Sequence, residues 1–124
     1  MNENAFSEFR FQTGWKKKEK ICFFGKEKEI IVKLSAYFEN DGITEEQKKA
    51  YIEYKNGEKN VWERLEVLLT NYKKNAESEF NPTTLLIDRN GDAAFLLDDA
   101  NAPDDGIAVC ISPDERIVSQ DEYL

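Results

Sequence analysis

At 124 residues, with a formal charge of −8 and no histidine, the chain is sized for one domain over residues 1–124, burying about two-thirds of the surface its unfolded form exposes. The missing histidine removes Ser–His and Cys–His nucleophile activation and the commonest zinc ligand, and 40% hydrophobic against 34% charged residues excludes both a disordered tail and a membrane-embedded bundle. No apolar run approaches the ~20 residues that span a bilayer, and "MNENAFSEFRF" has neither a basic nor a continuous apolar leader region, so a cytoplasmic protein is expected.

The charge is polarised. Residues 1–62 carry 12 Lys/Arg against 11 Asp/Glu, whereas residues 63–124 carry 5 against 14. An acidic field repels phosphate and anionic lipid and steers basic proteins inward. The expected partner is therefore a basic protein, with no nucleic acid and no membrane; the cluster Lys16, Lys17, Lys18 and Lys20 is a small local exception. Oligomeric state is left open.

In chain order, "FSEFRF" alternates Phe9 and Phe11 with polar residues, the pattern of a strand covered on one side. "WKKKEK" suits a solvated loop or a strand start. "KICFF", "GKEK" and "EIIVKLSAYF" read as a hairpin whose second arm puts Ile30, Val32, Leu34, Ala36 and Phe38 on one face. Thr44 and Gln47 have capping-box spacing at the start of a helix over about 44–55, with Ala50, Tyr51 and Tyr54 inward, ended by "KNGEKN". A second helix carries the stripe Val61, Leu65, Leu68, Leu69, Tyr72 and Ala76. After "FNPT" the strand pattern returns: "TTLLID", a tight turn at Asn90-Gly91 with two positive-φ positions, "AAFLLDD", "GIAVCIS", the turn "PDE", and "RIVSQ". The sum is an α+β fold, a mainly antiparallel sheet of six or seven strands with two central helices packed on one face.

Chemistry is sparse in this pattern. There is no G-x-G-x-x-G or Walker A run. Cys22 and Cys110 lie in apolar segments rather than a C-x-x-C pair and read as buried free thiols, so neither a thiolate metal site nor a cofactor is expected. "DRNGDAAFLLDD" places Asp88, Asn90, Asp92 and Asp99 at calcium-loop positions, but Ala93 stands where such a loop needs glycine, and a plain hairpin explains the same residues. Trp62 and Trp15 read as packing residues rather than ligand platforms.

The densest feature is "DDANAPDDGIAV". Asp98, Asp99, Asp104 and Asp105 suit a solvated loop or an acidic partner surface; oxygen ligation of a divalent cation and acid–base pairing are the alternatives. Asn101, Pro103 and Gly106 favour an exposed loop, where carboxylates keep their water.

The segment from "LLIDRNGDAAFLLDD" to "IVSQDEYL" resembles small bacterial domains of unknown function in which an apolar hairpin, an acidic loop, an x-x-G-I-x-V strand and an acidic tail follow one another, some of them looking like immunity proteins of polymorphic-toxin or contact-dependent inhibition systems. Their common form has Glu-His-Gly where this chain has Asp104-Asp105-Gly106. The resemblance covers the last third of the chain and implies no catalytic residue. It implies a non-enzymatic protein that neutralises a toxin by covering its active site. On the residues themselves, the loops joining the last strands are expected to bring several of Asp98, Asp99, Asp104, Asp105, Asp114 and Glu115 to one edge, an acidic interface for Lys and Arg of a basic partner such as a nuclease domain. A housekeeping or regulatory domain and a divalent-metal-binding protein or enzyme are the rival expectations.

Overall fold

A computed structural model describes residues 6–112 and 114–124; Pro113, which opens the expected "PDE" turn, and residues 1–5 lie outside the described residues. The strands are β1 (Arg10–Phe11), β2 (Trp15–Phe23), β3 (Lys26–Leu34), β4 (Phe80–Ile87), β5 (Ala93–Asp99), β6 (Ala102–Ser112) and β7 (Arg116–Ser119). Between β3 and β4 come helices α1 (Glu45–Asn56), α2 (Glu58–Tyr72) and the single turn α3 (Ala76–Glu79); α4 (Gln120–Tyr123) closes the chain. The strands form one sheet in sequential order. Every neighbouring pair is antiparallel except β3–β4, which is parallel because the helical crossover returns the chain to its starting end. The α+β expectation therefore holds, with seven strands.

Local signals explain the boundaries. The Thr44 hydroxyl accepts from Gln47 N–H at 3.0 Å while the Gln47 side chain accepts from Thr44 N–H at 3.0 Å, the reciprocal cap its spacing predicted. Gln47 is fully buried, and its amide also donates to the Ser35 and Ile87 carbonyls. The β2–β3 turn falls on Phe24-Gly25, both at positive φ, as a two-residue hairpin demands. Phe24 tolerates φ 49° with its amide donating to Glu66 on α2 at 2.9 Å and its ring 4.7 Å from Phe23. The Asn90-Gly91 turn forms a hairpin too, but only Gly91 has positive φ; Gly91 N–H bonds Asp88 O and Asp88 N–H bonds Asp92 O, the longer bulged loop rather than the tight one.

α1 and α2 cover one face. Ile21, Phe23, Ile30, Val32, Leu34, Leu85, Ile87, Phe95, Leu97 and Val109 meet Tyr51, Tyr54, Trp62, Leu65 and Leu69 in one core. The Trp62 ring lies 4.6 Å from Phe95, and its N–H donates to the Tyr54 hydroxyl at 2.8 Å, so Trp62 packs as expected. The opposite face of β4–β6 buries Leu86, Ala94, Ala108 and Cys110, near which α4 returns: the Tyr123 hydroxyl donates to Asp88 at 3.3 Å.

Several expectations need correction. β3 ends at Leu34, so Ala36 and Phe38 leave the strand face; Phe38 is 71% exposed. Cys22 is exposed, because alternation gives the inward positions to Ile21 and Phe23. "FNPT" begins β4 rather than preceding it, Ala76 belongs to its own turn, and Tyr72 is half exposed beyond the end of the α2 stripe.

Candidate functional site

The acidic stretch is strand and bulge, not an open loop. Asp98 and Asp99 end β5, and Asp104 and Asp105 lie within β6. Pairing runs Leu97↔Ile107 and then Asp99↔Ala102, so residues 103–106 stand opposite Asp98 alone, a bulge that turns this end of the hairpin away from the regular sheet. Gly106 makes the bulge possible: a Cβ there would collide with the Leu97 carbonyl and the Gln120 side chain, whose amide donates to the Leu97 and Ile107 carbonyls at 2.9 and 3.3 Å.

The four carboxylates differ in role. Asp99 is buried and structural: its Oδ1 accepts from Asn101 N–H at 2.9 Å, holding the turn, and Lys73 Nζ lies 3.9 Å from Oδ2. Asn101 also reaches the Glu79 carboxylate at 2.6 Å, and Ala100 N–H bonds the Glu79 carbonyl, which ties the hairpin tip to α3. Asp98 and Asp104 are exposed, and among the described residues neither has a cation within ion-pair distance. Asp105 is partly buried, with Oδ1 shielded from solvent and unpartnered. A depression of about 390 Å³ beside the tip is lined by Glu77, Glu79, Asp98, Asp99, Pro103 and Lys28.

Asp114 and Glu115 lie elsewhere. The register Cys110↔Arg116 places their turn at the other end of β6, on the order of 30 Å along the strand from Asp104. Glu115 receives two hydrogen bonds from the Arg64 guanidinium, at 2.9 and 2.8 Å. Those bonds lower the Glu115 pKa and raise that of Arg64. Glu115 thus links α2 to the β6–β7 turn, and Asp114 is exposed beside it.

The most buried acidic group was not among the candidates. Glu19 on β2 keeps 5% side-chain exposure, accepts from the Tyr51 hydroxyl at 2.5 Å and from Lys55 at 3.0 Å, and has Lys17 Nζ at 3.6 Å. Its signal was in the sequence: Lys17 and Glu19 share the period-2 face of Ile21 and Phe23. Burial raises the Tyr51 pKa, reinforced by the Glu19 carboxylate; burial likewise raises that of Tyr54. For Lys55, burial lowers the pKa, but the Glu58 and Glu19 carboxylates outweigh it and the net direction is upward. The arrangement joins helix to sheet.

Among the described residues, no three Asp, Glu or Cys side chains converge as metal ligands. Asp88 and Asp92 close their hairpin instead, Asp88 accepting from Ser35 and Tyr123 and Asp92 from Asn90. Nor is any helix among these residues long and apolar enough to cross a membrane.

One family model matches residues 5–123, nearly the whole chain. The chain belongs to DUF6985, a domain family of unknown function. The match takes in the seven-stranded sheet and its helices as one unit, including the acidic hairpin and the C-terminal α4. No curated protein and no solved structure matches the chain.

Proposed function

We propose that this DUF6985 protein is a non-enzymatic binding protein that docks a basic protein partner on the acidic end of its β5–β6 hairpin, in its most concrete form an immunity protein that covers the active site of a toxin nuclease domain. One observation carries the reading. Asp98 and Asp104 project from a bulge held rigid by Gly106, Gln120 and the Asp99–Asn101 turn, with no ion-pair partner among the described residues. Uncompensated carboxylates on a fixed frame offer charge complementarity without an ordering cost on binding. Phosphate-binding Lys and Arg side chains are the groups such a surface would occupy.

The test compares tagged wild type with an Asp98→Lys/Asp104→Lys variant in affinity purification from native cells, at low and at moderate salt. A basic protein retained by the wild type, lost from the variant and lost as salt rises is the expected result. Equal retention by both proteins would remove the hairpin end as the interface. No retained protein at either salt would overturn the binding reading. Equal melting temperatures confirm that the variant is folded.

A further inference from the structure

The lysine-rich stretch of β2 divides between the two sheet faces. Lys17 turns inward to Glu19, while Lys16 and Lys18 point to the face opposite the helices. There Arg10, Lys16 and Lys33 stand directly across from one another on β1, β2 and β3, and Lys18 follows two residues on, opposite Ile31. Strands sit ~4.8 Å apart, so three cations fall within about 10 Å. Like charges in direct cross-strand register are destabilising. No described carboxylate forms an ion pair with any of the four; the first acidic residue in register is Glu29, opposite Lys20. The fold thus maintains, among the described residues, a cationic row without a carboxylate partner on the sheet face away from the helices, with Arg10 held in place by the Ser7 and Phe9 carbonyls.

Beside this row lies a concavity of about 770 Å³ lined by Thr13, Lys33, Ser35, Tyr37, Asp88 and Arg89. The Lys33 stem crosses Gly14, where an added Cβ would sit 2.8 Å from Lys33 Cε. Arg89 is fixed by hydrogen bonds to the carbonyls of Ser35, Asp41 and Gly42, and the Asp88 carboxylate is occupied by Ser35 and Tyr123. Tyr37 is 91% exposed and Phe38 71%. Cations in a row with a free aromatic ring at the end form the pairing that holds single-stranded nucleic acid, phosphates on the cations and an unstacked base on the ring.

We infer that the Arg10–Lys16–Lys18–Lys33 face, with Tyr37 at its rim, binds single-stranded nucleic acid. The overall charge of −8 does not oppose this locally. Asp98, the acidic residue of the hairpin on β5, lies two strands from Lys33 and four residues further along the sheet, roughly 15 Å, beyond the Debye length of ~8 Å at physiological salt. A duplex hides its base faces and would leave Tyr37 unused.

The experiment is fluorescence anisotropy of labelled oligothymidylate and oligouridylate of ~20 nucleotides, started near 50 mM salt. Wild type should bind at least one of them, with affinity falling steeply as salt rises. Lys16→Glu/Lys18→Glu should lose about tenfold or more and flatten the salt dependence. That variant should keep its melting temperature, because the carboxylate at position 16 would lie between Arg10 and Lys33. Tyr37→Ala should weaken binding about tenfold with the salt dependence retained. No oligonucleotide binding at low salt, or equal binding by the charge variant, would overturn the inference. So would binding of phosphatidylserine vesicles without oligonucleotide binding, or competition by polyglutamate equal to that of oligonucleotide with Tyr37→Ala silent.

Discussion

The Tyr51 hydroxyl donates to Glu19 at 2.5 Å, and Lys55, one helical turn along α1, reaches the other oxygen of the same carboxylate at 3.0 Å. Helix α1 is therefore joined to β2 through a charge that has left water, and such a charge is tolerated only while its partners remain. Glu19→Ala takes the acceptor from the Tyr51 hydroxyl and the link between Lys55 and β2, while Lys17 keeps Glu8 at 3.4 Å and Lys55 keeps Glu58 at 3.0 Å, so it should cost about 1–3 kcal/mol. Tyr51→Phe leaves the carboxylate short of one donor and should cost about 1–3 kcal/mol. Urea denaturation measures both; wild-type stability in either variant would mean the network contributes nothing.

Buried phenols on both sheet faces set an alkaline limit. Tyr51, Tyr54 and Tyr123 all have pKa values raised mainly by burial, and Lys55 is raised as well. A group whose folded pKa exceeds its unfolded one stabilises fully below the unfolded value and loses that contribution as pH rises toward the folded one. Stability should therefore hold to about pH 10 and fall above it. Tyrosinate absorbance from these three rings should rise together with loss of near-ultraviolet circular dichroism. Ionisation of all three in a protein that stays folded would contradict the assigned burial.

β3 and both long helices were legible because one local rule sufficed for each: period-2 alternation for β3 as far as Leu34, the Thr44–Gln47 cap for α1, and the Val61–Leu65–Leu69 stripe for α2. The acidic site was legible as composition only. Whether an aspartate is exposed, as Asp98 is, or holds a turn, as Asp99 does, follows from a bulge fixed by Gln120, more than twenty residues away in sequence. Separation of Asp114 and Glu115 from the hairpin end likewise required the register of β6 with β7. The split of the lysine cluster is plain alternation, but it shows only once Trp15–Phe23 is known to be strand throughout rather than partly loop.

Thiol reactivity tests the C-terminal segment. Cys22 is exposed and Cys110 buried, with burial raising the Cys110 pKa although Arg116 opposes the shift. Thiolate is the reactive form, so a disulfide reagent should modify Cys22 at once and Cys110 only on unfolding. Tyr123→Ala removes the ring that α4 lays near Cys110 and its hydrogen bond to Asp88. Cys110 modification should then accelerate while Cys22 is unchanged. Equal Cys110 rates in wild type and variant would show that α4 does not guard this face.

Gly106 connects that C-terminal segment to the acidic end. An alanine Cβ there would strike the Leu97 carbonyl, which is backbone and cannot turn aside, and the Gln120 amide, which can. Gly106→Ala should therefore cost about 1–3 kcal/mol, the range for forced overpacking. Gln120→Ala removes a donor from the Leu97 and Ile107 carbonyls and should cost about 1 kcal/mol. Combining the two separates the causes. If the collision with Gln120 dominates, the double variant is more stable than the sum of the single losses implies; if the carbonyl dominates, the losses add. Either way the bulge carrying Asp104 should loosen, seen as faster amide exchange at residues 104–107 than at the β4–β5 pair. Unchanged exchange in Gly106→Ala would mean that the bulge does not depend on the glycine.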